Sequence, residues 1–247
     1  MIHRNPSRAT AGVLAACAAL ACLLPGCRQP SFGSRITSDQ AVEIGAEAAA
    51  QVQSQFAAAP AAEPGVALMQ QTGAQLAKHA GGLPPGVKLQ FVALVSGDEF
   101  AQSLPDGHIF VSDSLLAHVA GKPDEMAGML AHEVGHVALG HDIENLTLAL
   151  GDQGAADMLS QGKYEDIVRT QIELSRLSYT REQEFAADDY AVKLMKDAGY
   201  DPEGLVRFVE MVEAEVHSPS QVLWDQSHPL SKRRIAKIRQ DIAALRH

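Results

Sequence analysis

The chain has 247 residues, 46% of them apolar, and 30 acidic against 20 basic side chains give a formal charge of −10. That length suits one domain of fair size or two small ones. A mean hydropathy of −0.05 argues against a polytopic membrane protein. The acidic balance, with no Lys/Arg-rich stripe, disfavours nucleic acid as a partner.

The N-terminus reads as a signal for export and lipid attachment. His3, Arg4 and Arg8 make a basic start, and Ala11 to Leu24 form an apolar core too short to span a bilayer. Leu24-Pro25-Gly26-Cys27 resembles a bacterial lipobox, with Pro25 departing from the usual small residue. Residues 1–26 are therefore expected to be a signal peptide, 27–36 a tether and 37–247 the working domain. Cys27 is then the lipid anchor. Cys17 and Cys22 leave with the signal, so the mature chain keeps one thiol and forms no internal disulfide. Arg28 is not the Asp that commonly retains lipoproteins at the inner membrane. The expected location is the outer membrane, facing the periplasm.

Next in order, Thr37, Ser38 or Asp39 can cap a helix running to about Phe56, and Pro60 and Pro64 break the chain after it. A second helix is expected over Val66 to His79. Lys88 to Val95 alternates as a strand, Phe100 to Leu104 reads as an extended edge segment, and His108 to Val111 as a further strand. A helix carries Leu115, Leu116 and Val119. The following helix starts at Pro123, with Asp124 and Glu125 at its positive end, and ends at Gly140. Met126, Met129, Leu130, Val134 and Val137 are too many for a solvent-bathed helix, so it reads as the buried centre. Ile143 to Tyr179 is predicted helical with interruptions at Gly151, Gly154 and Gly162. Further helices are expected over Glu182 to Ala198, after Asp201-Pro202-Glu203, and over Pro229 to Leu245. The class is α+β, mainly α with a small β-sheet.

The central helix holds His132-Glu133-Val134-Gly135-His136. Positions i and i+4 of a helix share a face, so the two imidazoles can bind one zinc ion. Glu133, one step round, can reach a water on that metal and take its proton. The third ligand divides the possible enzymes. A metzincin needs Gly and His where Leu139 and Asp142 stand, so that class is excluded. His141 lies five residues past His136 and reads as a helix-end residue rather than a ligand. Glu184 and Asp188 lie at i and i+4 of a later helix. Glu184 can bind the metal while Asp188 hydrogen-bonds a ligand His and fixes its tautomer.

With these residues in hand, the chain resembles the HtpX-like and CaaX-protease-like gluzincin zinc metallopeptidases over about Ala41 to Ile235. The matching elements are Leu104 to Val111, Asp124 to His136, Arg181 to Asp188, and Ser227-His228-Pro229 with Arg234-Ile235. The resemblance implies a gluzincin fold with a buried central helix beside a small sheet. It implies His132, His136 and Glu184 as ligands of one zinc per chain, Glu133 as base and Asp188 as the ligand-orienting partner. It also implies that His228 or Arg234 supplies an oxyanion donor, or that His228 fills the open zinc position in a resting form. With the lipobox, it points to the periplasmic branch, whose polypeptide substrates are misfolded or misassembled envelope proteins. The alternative is a non-catalytic chaperone or assembly lipoprotein that keeps the fold. Phe100-Ala101-Gln102-Ser103 departs from the family's edge-strand sequence, which leaves main-chain pairing with substrate possible but substrate preference open.

Overall fold

Helix formation here starts from caps and turn chemistry. The computed structural model describes residues 36–245 except 152–153, 155–156, 159, 175–178, 216–227 and 229–231. The expected signal peptide and Cys27 fall outside these residues. Helix α1 spans Ser38–Gln55 and is capped by Thr37, whose hydroxyl and Gln40 form a reciprocal capping box. α2 spans Val66–His79. The strands are β1 (Gln90–Leu94), β2 (Ala101–Ser103) and β3 (His108–Ser112). They are followed by α3 (Asp113–Val119), α4 (Pro123–Leu139) and α5 (His141–Leu150). Then come α6 (Tyr164–Leu174), α7 (Arg181–Asp197), α8 (Glu203–Glu215) and α9 (Lys232–Ala244).

The sheet order is β1-β3-β2, with β1 parallel and β2 antiparallel to β3. Phe100 to Leu104 was expected to be an edge segment, and its centre is β2. Alternation along β3 divides the interior in two. Ile109 and Val111 join the larger apolar cluster, built from α2, α3, α4, α7, α8 and α9. Phe110 points the other way, into a cluster with residues of α1, α5 and α6. No helix among the described residues is long and apolar enough to cross a membrane.

α4 lies at the centre, buried at every position from Met126 to Val137. Two glycines let its neighbours come close. A Cβ at Gly128 would sit 2.6 Å from Leu205 Cα on α8, and one at Gly135 would sit 2.9 Å from the Ala187 carbonyl oxygen on α7. Backbone therefore packs on backbone at both crossings. The second crossing places α7 against the His-bearing face of α4.

The expected helix over Ile143 to Tyr179 needs correcting at its end. Tyr179 is buried and lies outside any helix, just before Thr180, the cap of α7. His141 is likewise no trailing residue of α4: Gly140, at φ 70°, ends that helix, and His141 opens α5.

Candidate metal centre

His132 and His136 project one turn apart from α4, and neither is exposed to solvent. Their Nε2 atoms are 3.1 Å apart. Ala187, which touches Gly135, lies between Glu184 and Asp188 on α7, so this one crossing delivers both carboxylates. Glu184 Oε1 lies 3.5 Å from His136 Nε2, and its Oε2 3.6 Å from His132 Nε2. His228, between α8 and α9, adds Nδ1 at 3.1 Å from His132 Nε2 and 3.0 Å from Glu184 Oε1. The four donor atoms fall within 4.8 Å of one another.

This set fits zinc. Three imidazole nitrogens and one carboxylate are donors that zinc accepts, and bonds of about 2.0–2.1 Å put tetrahedral ligand atoms roughly 3.3 Å apart. The observed separations of 3.0 to 3.6 Å bracket that edge. Desolvation alone would raise the Glu184 carboxyl, but the Arg234 guanidinium, with His228 and His136, holds it well below the usual range. Burial keeps His136 neutral by lowering it well below the usual imidazole value. The carboxylate is ready as an anion and the imidazole as a lone pair.

The sequence pattern described as Peptidase family M48 matches residues 67–242. The chain belongs to peptidase family M48. Relatives agree: it is 29% identical to the metalloprotease YcaL of Escherichia coli over 181 residues, 69% of each chain. It is 27% identical to the metalloprotease LoiP of the same organism over 169 residues, 64% of this chain and 65% of LoiP. A shorter stretch of 100 residues, 40% of this chain and 20% of the relative, is 37% identical to the mitochondrial metalloendopeptidase OMA1 of Arabidopsis thaliana. As a member of M48 the protein is a metalloprotease, and zinc is its metal.

Around the donors of this M48 centre stands a buried charged frame. Asp188 Oδ1 is 2.9 Å from His132 Nδ1. Arg234, from α9, donates Nε to Asp188 Oδ2 at 2.7 Å and Nη2 to Oδ1 at 2.9 Å, and its Nη1 lies 2.5 Å from Glu184 Oε2. This corrects one expectation. Arg234 is engaged by two carboxylates rather than held out as an oxyanion donor. Glu133 is buried beside the donors, with Oε1 3.4 Å from His228 Nε2. Glu184 and Glu133 together raise the His228 imidazole above its usual value despite its burial.

Four further residues belong to the site in roles that sequence reasoning did not give them. The Tyr179 ring stacks on His136 with centroids 3.8 Å apart and planes at 28°. Its hydroxyl donates to Asp142 Oδ1 at 2.6 Å, and Ser103 on β2 donates to Asp142 Oδ2 at 3.2 Å. Burial pushes the Asp142 carboxyl up to about 7 against the pull of these two donors. His141 Nδ1 lies 2.9 Å from His136 Nδ1, and burial brings its imidazole down to about 4. No short motif marks Tyr179, because its role depends on where the start of α7 docks against α4. His141 is visible in the sequence, but its contact depends on the break at Gly140.

Proposed function

We propose that this M48 metalloprotease is an endopeptidase that cleaves polypeptides of the bacterial cell envelope, with zinc held by His132, His136 and Glu184. The observation that carries this reading is the convergence of those three side chains, from two helices, beside the buried Glu133. Zinc, when bound, supplies a Lewis acid that polarises the scissile carbonyl and lowers the pKa of water at the site.

The protein's own groups do the rest. β2 is an edge of the sheet, so an extended substrate can add main-chain hydrogen bonds along it without requiring particular side chains. Glu133 takes a proton from the attacking water and returns it to the leaving amine. Asp188, itself fixed by Arg234, holds the His132 proton on Nδ1 and so keeps Nε2 bare. His228 Nδ1 lies 3.1 Å from His132 Nε2 and 3.0 Å from Glu184 Oε1, so it would serve as a fourth donor to the metal in a resting form.

Glu133→Gln tests the central assignment. Zinc content should match wild type while peptide cleavage falls by several orders of magnitude; cleavage that persists removes Glu133 as base. Comparing envelope peptides from wild-type and Glu133→Gln strains should show the substrates as fragments that vanish. Attachment through Cys27 is supported by Leu24-Pro25-Gly26-Cys27, and loss of palmitate labelling in Cys27→Ser is its check.

A further inference from the structure

His136 is gripped differently from its partner. The outer nitrogen of His132 meets a carboxylate, Asp188, whereas the outer nitrogen of His136 meets another imidazole. We propose that His141 is a positioning residue for zinc binding, accepting the Nδ1–H of His136 on its own Nδ1 and so fixing that ligand's tautomer and ring direction.

The argument rests on the zinc-site reading above and follows from counting protons. His136 turns Nε2 toward the donor cluster, 3.1 Å from His132 Nε2. A nitrogen that binds metal carries no hydrogen, so the ring proton of neutral His136 sits on Nδ1. That N–H must find an acceptor in a buried site. At 2.9 Å the atom facing it is His141 Nδ1. Only one hydrogen fits between two ring nitrogens at that distance, so His141 Nδ1 is bare and its own hydrogen is on Nε2. The contact lies on the side of the His136 ring away from the donors. His141 is therefore a prop and not a ligand.

The chain builds this prop economically. Gly140 at φ 70° ends α4 and starts α5, which turns His141 back onto the helix it follows. The next residue, Asp142, holds the Tyr179 hydroxyl, and Tyr179 stacks on the His136 ring. One helical turn thus supports both the edge and the face of the same ligand.

The test compares the full-length protein with His141→Leu and His141→Asn, measuring zinc affinity by chelator competition. The Leu side chain removes the acceptor, and zinc should bind about 10- to 100-fold more weakly. The Asn side chain places its carbonyl oxygen where His Nδ1 stood, and affinity should stay within about threefold of wild type, as outer acceptors of either kind orient the ligand. Equal binding by wild type and His141→Leu overturns the proposal, and so does equal loss in both variants. Nitrogen-15 imidazole spectra of the zinc-loaded wild type give a second reading: the expected His141 tautomer carries hydrogen on Nε2, and hydrogen on Nδ1 overturns it. Failure of wild type to bind zinc overturns the site reading itself, whereas tight binding that ignores residue 141 overturns only the role of His141.

Discussion

Gly135→Ala probes whether the α4–α7 crossing sets the metal centre. The added methyl would stand 2.9 Å from the Ala187 oxygen, 3.1 Å from its Cα and 3.4 Å from its carbonyl carbon. Ordinary contacts with carbon begin near 3.5 Å, so α7 must retreat by about 0.5 Å. Overpacking of this kind costs about 1–3 kcal/mol, while replacing a helical Gly by Ala returns about 1 kcal/mol. The net loss of stability is thus on the order of 0–2 kcal/mol, and at about 2–4 °C per kcal/mol the melting point drops by roughly 0–8 °C. Zinc should feel far more. Ligand distances tolerate only about ±0.2 Å, and the retreat carries Glu184 and Asp188 away together. We expect a folded protein with zinc affinity lowered at least about tenfold, comparable to removing a ligand's supporting partner. Chelator competition beside thermal unfolding checks this. Wild-type zinc affinity in Gly135→Ala would refute the reasoning, whatever the melting point does.

Glu184→Ala should lose both zinc and cleavage, and it leaves Arg234 with Asp188 alone; breaking a buried pair in this way costs about 3–5 kcal/mol, measurable by denaturant unfolding. His228→Ala should raise peptide cleavage several-fold while weakening zinc binding, because it removes a fourth donor; unchanged cleavage in a peptide assay rules out an active role for His228. Asp142 gives a pH signature. Its folded value of about 7 stands above the ordinary 3.8, so between those limits the folded state keeps a proton that the unfolded chain has released. Its contribution to stability therefore declines as pH rises from about 4 through 7, by on the order of 4 kcal/mol at most, and then levels off. Subtracting the unfolding free energy of Asp142→Asn from that of wild type should expose this slope, and a flat difference would refute it.

The sequence carried the ligand pair most plainly, because a helix converts the spacing of His132 and His136 directly into geometry. The capped, apolar helices were also legible, since Pro123, Thr37 and the buried face of α4 act locally. Glu184 was legible only in company, as an acidic pair whose meaning depended on an earlier motif. Arg234 was read for the wrong task. Its position in the chain gave its neighbourhood, but its partners follow from how α9 docks on α7. Tyr179 and the His141 contact were out of reach, because one depends on how α7 docks and the other on the direction of the break at Gly140, and residue spacing encodes neither. Gly135 stood inside the motif in plain view, yet its significance appears only when α7 is seen lying against it.

The salt link from Arg234 to both Asp188 and Glu184 ties α9 to α7, 46 positions upstream at Asp188, and the same guanidinium reaches His132 on α4. That link closes only once α9 has docked on α7. Until then Glu184 lacks its strongest counter-charge and the centre is unfinished. The metal centre is thereby completed by tertiary packing and not by the motif helix alone.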